Sequence, residues 1–152
     1  MSGGGVTIEN TDSRQETVTL TVPSHPRFLY VIRSALYPLI IDAGFRKRDA
    51  AKMVLAVDEA CSNIIRHAYG GQDDQPITLT VEFPEDRFLI RLRDYGKKAD
   101  PSEIAPRDLA DVRPGGLGTF FIKAVFDDVQ YDTSVDRGTL LTMAKTKPQV
   151  SQ

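Results

Sequence analysis

The apolar residues change period at Gly70-Gly71, and that change limits the possible folds more than any other feature of the chain. Upstream, Val54, Val57, Cys61, Ile64, Ile65 and Ala68 recur at the three- and four-residue spacing of one helix face. A helix is therefore expected from about residue 48 to 69, ended by the two glycines. Downstream, residues 77–83 and 88–92 alternate apolar and polar side chains, and Pro84-Glu85-Asp86-Arg87 joins them as a hairpin would. A one-sided helix feeding a one-sided hairpin has to lay its stripe on the sheet.

The flanking segments extend this pattern. Residues 17–22 alternate as a strand and Pro23 ends it. Ser24 is positioned to cap a helix beginning near Pro26, in which Phe28, Val31, Ile32, Ala35, Leu36, Leu39 and Ile40 keep helical spacing up to Gly44. Pro38 inside that run is expected to bend or split it. Helical spacing returns over 118–126, with strands near 129–133 and 138–144. Strand, two helices, two strands, a long loop, a helix and two strands make an α+β chain. The expected architecture is a two-layer α/β sandwich with a mixed, mostly antiparallel sheet and helices on one face. One domain is expected over 17–145, with loose polar tails at 1–16 and 146–152.

Charge and cysteine usage narrow the function classes. The net charge of −2 gives no basic excess to attract a phosphate backbone, so direct nucleic-acid binding is not expected. The single cysteine, Cys61, lies on an apolar stripe and needs no oxidising compartment, which fits a cytoplasmic address. Arg33, Pro38 and Asp42 interrupt the most apolar stretch, so no membrane association is expected, and the first residues do not read as a signal peptide. His25 and His67 have no partners at zinc-binding spacing.

Three stretches could carry chemistry. Glu59 and Asn63 stand one helical turn apart, opposite the apolar stripe. A carboxylate and an amide so placed can orient a hydroxyl and bind a hard cation, and the same spacing also describes a solvated outer face. Asp94-Tyr95-Gly96 closes a strand, where an aspartate can point into a cleft or merely begin a turn. Pro114-Gly115-Gly116-Leu117-Gly118 precedes an apolar helix and can present backbone N–H groups to a polyphosphate, or serve as a flexible loop. It is not a Walker A loop, since no Gly-Lys-Ser/Thr follows.

The order of these stretches is more specific than any one of them. Glu-x-x-x-Asn on a helix, Asp-x-Gly after a strand, a glycine-rich helix start and Gly138-Thr139 opening a last strand resemble the GHKL, or Bergerat-fold, ATPase superfamily. The closest likeness is to its anti-sigma-factor serine kinase branch. It spans nearly all of residues 17–145 and includes residues 22–26 leading to Ile32-Arg33, residues 58–63 with His67-Ala68-Tyr69, and residues 115–118 with Asp127-Asp128-Val129.

The resemblance implies ATP or ADP and Mg²⁺ as cofactors. Glu59 would take the proton from a substrate serine, and Asn63 would hold Mg²⁺. Asp94 would accept from the adenine amino group, Gly96 would pack near the base and Thr139 would support the same contact. Gly116, Leu117 and Gly118 would meet the phosphates at the end of a lid spanning about 97–115. Many members carry a second glycine, Asp-x-Gly-x-Gly, where this chain has Lys98, so a stiffer lid hinge is expected. The resemblance also implies a homodimer, a sigma-factor partner contacted through Arg33, and a small antagonist protein phosphorylated on serine. A nucleotide-gated binding module without kinase activity is the alternative, and Glu59 beside Asn63 favours the kinase because a pure binder needs no base. A sensor histidine kinase is disfavoured, since no dimerisation hairpin precedes the domain and proline follows His25.

Overall fold

The computed structural model of the chain describes residues 3–10, 16–100 and 116–149. Six strands, β1 (Gly5–Asn10), β2 (Glu16–Pro23), β3 (Pro76–Glu82), β4 (Arg87–Asp94), β5 (Asp128–Asp132) and β6 (Thr139–Thr146), form one sheet in the order β1-β2-β3-β4-β6-β5. Among the described residues every pairing is antiparallel, where a mixed, mostly antiparallel sheet was expected.

The register explains which face is covered. Leu20, Leu79, Leu92, Leu141 and Tyr131 form one row across β2, β3, β4, β6 and β5, and Val18, Val81, Ile90, Met143 and Val129 form the next. With period-two side chains, both rows face the same way. Against them pack Leu29, Ile32, Leu36 and Ile40 of α1 (Leu29–Asp42), Met53, Val57, Ala60 and Cys61 of α2 (Lys47–Asn63), and Ile122 and Val125 of α3 (Gly116–Val125), all buried. Cys61 is core, and burial pushes its thiol pKa up, which keeps it protonated and unreactive. Thr19, Thr21, Thr78, Thr80, Arg91 and Thr142 occupy the opposite, half-exposed face, where Arg91 pairs with Glu82. No helix among the described residues is long and apolar enough to cross a membrane.

Three details differ from the sequence expectation. Gly5–Asn10, within the segment expected to be a loose tail, is an edge strand. Its Val6 and Ile8 continue the two core rows opposite Leu20 and Val18, yet are 66% and 74% exposed. Of the bend or split expected at Pro38, the split does not occur, and α1 runs unbroken from Leu29 to Asp42. Pro38 faces solvent, as does Ser34, whose carbonyl the missing N–H would have met, so water can satisfy that group. Ser24 does not cap the helix: its buried hydroxyl donates to Gln72 O at 2.6 Å and accepts from Gln75 N at 3.1 Å. His25 Nδ1 instead accepts from Arg27 N at the 3₁₀ turn Pro26–Phe28 that leads into α1.

Candidate functional site

The second helix is the spine of the site. It runs on past Asn63 as a π-helical turn, Ile64–Ala68, a wider coil that recurs at functional positions. Glu59 and Asn63 are half-buried, so their face is not a solvated one. What covers it is the start of α3. A Cβ on Gly118 would stand 2.8 Å from Glu59 Oε2 and 3.8 Å from Asn63 Nδ2, so the glycine lets backbone approach the carboxylate. Gly116 and Leu117 fall in the same first turn of α3. Asn63 Oδ1 accepts from Arg66 Nη2 at 3.0 Å.

The far end of the spine meets the end of β4. Ala68 O accepts from Lys97 N at 2.7 Å. Tyr69 hydroxyl donates to Pro76 O at 2.6 Å and accepts from Tyr95 N at 2.8 Å. A Cβ on Gly96 would sit 2.2 Å from Ala68 O and 2.9 Å from the Tyr69 ring. Only glycine lets strand and helix close this tightly.

Asp94 is 3% exposed, on the covered face by its register with Thr139. Burial raises its carboxyl above the usual aspartate range, while the N–H groups of Gly96 and Thr139 and the Arg93 guanidinium pull it back down. Gly96 N donates to Oδ1 at 3.1 Å. Room for the side chain comes from Gly138, at φ +70°, whose Cβ would stand 2.7 Å from Asp94 Oδ1 and 2.1 Å from Asp94 O. Sequence reasoning takes Gly138 only as the opening of a strand, although its adjacency to Thr139 was a usable signal. Thr139 is buried and its Oγ1 accepts from Ala99 N at 3.0 Å.

Two groups of site residues thus form. Glu59, Asn63 and Gly118 meet at the last turns of α2, and Asp94, Gly96, Gly138 and Thr139 gather beyond the π-helical turn, where Gly96 packs on Ala68 O. Arg33 belongs to neither. It is exposed and pairs with Asp58 Oδ1 at 2.5 Å, bridging α1 and α2. Of the expected lid, residues 97–100 are described and 101–115 lie outside the described residues.

A family model described as histidine kinase-like ATPase domain matches residues 22–145. The chain belongs to the histidine kinase-like ATPase family. Within it, the chain is similar to the serine-protein kinase RsbW of Listeria monocytogenes, 32% identical over 138 residues that cover 86% of this chain and 87% of the relative. The RsbW kinases of Halalkalibacterium halodurans and Bacillus cereus are 31% and 30% identical, covering 86% and 87% of this chain and 83% and 86% of their own lengths. For this family member, nucleotide binding follows from the ATPase domain.

The residues present suit a magnesium nucleotide. Among the described residues no group of three or more His, Cys, Asp or Glu could cage a metal, and Mg²⁺ commonly takes one or two protein oxygens and completes its shell with phosphates and water. Asn63 Oδ1 is such an oxygen, now held by Arg66. The buried Asp94 carboxylate is an acceptor suited to an adenine amino group.

The Asp94 environment yields a test with two signs. Because burial raises its folded pKa, the associated stability is fully present when the group is protonated, below its unfolded pKa, and is lost as pH rises through the folded value. Asp94→Asn removes that loss, so the thermal midpoint at neutral pH holds or rises. ADP affinity falls by about 1–3 kcal/mol, the usual range for a hydrogen bond to a charged acceptor. Calorimetry and a thermal melt on one sample read both. Undiminished ADP affinity would remove Asp94 from the nucleotide site.

Proposed function

We propose that this protein is an ATP-dependent serine kinase that also acts as an anti-sigma factor: it binds a sigma factor and phosphorylates a small antagonist protein on serine. The observation that carries this reading is the Glu59 carboxylate, half-buried against the glycine start of α3 with Asn63 one turn away. A module that only bound nucleotide would have no use for a base there. The serine-protein kinase names of the relatives support the same reaction class.

In this mechanism ATP with Mg²⁺ supplies the transferable phosphoryl group and the neutralising charge. The chain contributes position and proton handling, the main requirements of phosphoryl transfer. Glu59 takes the proton from the serine hydroxyl. Asn63, whose Oδ1 accepts from Arg66, would hold the cation. The N–H groups of Gly116, Leu117 and Gly118, at the positive end of α3, would hold the phosphates. Asp94 accepts from the base, with Gly96 packed beside it and Thr139 in support.

The reading extends to assembly and address. Tyr30 and Tyr37, 56% and 37% exposed, flank Arg33 at helical spacing on α1, and Leu55 is exposed on α2. Such an apolar stripe suits a homodimer and a sigma-factor contact. Arg33, already tied to Asp58 by one nitrogen, keeps further donors for a partner carboxylate. A kinase that acts on a sigma-factor pathway works in the cytoplasm.

The test is incubation with γ-labelled ATP, Mg²⁺ and an antagonist protein encoded nearby, read for phosphoserine. Asn63→Ala, run in parallel, abolishes the gain in ADP affinity that Mg²⁺ gives the wild type. Calorimetry that detects no adenine-nucleotide binding by the wild type would overturn the reading.

A further inference from the structure

We propose that Lys98 is a positioning residue of the nucleotide site: its ammonium staples the segment leaving β4 to the turn between β5 and β6, and so keeps Thr139 and Gly138 set against Asp94. The inference rests on the reading that the Asp94 end binds the base.

The Lys98 Nζ donates to Thr133 O and to Val135 O, each at 2.5 Å. From the strand itself, the Arg93 guanidinium donates to Arg137 O and to Asp94 O, and stacks 4.3 Å over the Tyr95 ring. Three alternate carbonyls of the turn, those of Thr133, Val135 and Arg137, are thus held by two cations, Arg93 on β4 and Lys98 on the segment that leaves it. The next residue is Gly138, the one whose missing Cβ makes room for the Asp94 carboxylate. The other side of the same segment is fixed as well, by Tyr95 N to the Tyr69 hydroxyl and Lys97 N to Ala68 O. Ala99 N then reaches Thr139 Oγ1.

Residues 95–99 therefore form a strap between the end of the π-helical turn and the β5–β6 turn. Its middle anchor is a side chain that the glycine many family members would carry at this position does not have. Glycine there would remove the bonds to Thr133 O and Val135 O and give the strap backbone freedom. A lysine replaces that freedom with two charge-assisted bonds, which favours one geometry of the Asp94, Gly138 and Thr139 cluster.

Three full-length variants test the staple. Lys98→Met keeps the aliphatic stem and loses both bonds, Lys98→Arg keeps a cationic donor, and Lys98→Gly introduces the glycine that many family members would carry. Stopped-flow measurement with a fluorescent ADP and its GDP counterpart gives affinity, dissociation rate and base discrimination. For Lys98→Met and Lys98→Gly, ADP dissociates about three- to ten-fold faster, the scale of one lost hydrogen bond, and the preference for ADP over GDP narrows. Lys98→Arg restores most of both. Hydrogen exchange at the Ala99 amide, read without nucleotide, quickens in the Met and Gly variants. Lys98→Met with wild-type dissociation and discrimination overturns the proposal, as does failure of arginine to rescue. If the wild type binds no nucleotide, the functional reading falls, and Ala99 exchange still decides whether the staple exists.

Discussion

Glu59→Gln is expected to lower serine phosphorylation by roughly 10²–10⁴-fold, the usual contribution of a general base, while nucleotide affinity changes little. Glutamine has the same shape and can lie against Gly118 as the carboxylate does, 2.8 Å from where a Cβ would be. What it cannot do is take a proton. On the proposed reading the adenine base lies at Asp94 and Thr139, on β4 and β6 beyond the π-helical turn, and that end should not sense the change. The split between rate and affinity is therefore the signature, read by single-turnover phosphorylation beside calorimetry. If the variant phosphorylates an authentic antagonist at the wild-type rate, Glu59 is not the base.

Much of this site was legible because its parts lie within single elements. Helical spacing alone puts Glu59 and Asn63 on one face, and strand parity with a following glycine marks Asp94. Element types were legible for the same reason: the stripe of α2 and the alternation of β3 and β4 are local patterns. What was not legible joins distant segments. That Gly118 closes over Glu59, or that Gly138 empties the space Asp94 fills, depends on the packing of α3 on α2 and of β6 on β4. Strand β1 escaped because its alternating Val6-Thr7-Ile8 is short and sits among glycines and polar residues that read as a tail. Ser24 was read by its neighbours in sequence, and its hydrogen bonds go to residues 48 and 51 positions away.

The second large effect is structural and falls on Gly138. Gly138→Ala meets two penalties at once. At φ +70° an L-residue with a Cβ is strained by about 1–2 kcal/mol. That Cβ would also lie 2.1 Å from Asp94 O, a backbone atom that cannot rotate away, so β4 and β6 must part where Asp94 pairs with Thr139. Together these should destabilise the fold by roughly 3 kcal/mol or more, a size seen where strain and packing coincide. For a chain of this length that lowers the thermal midpoint by about 6–12 °C. Because Asp94 Oδ1 is 2.7 Å from the same point, ADP affinity falls too in whatever fraction remains folded. Gly44→Ala separates the two terms. Gly44 has φ +101° and nothing within 4 Å of its added Cβ, so alanine there carries conformational strain alone, about 1–2 kcal/mol. A thermal melt of both variants decides: equal losses would assign the whole effect to backbone strain and leave the Asp94 contact with none.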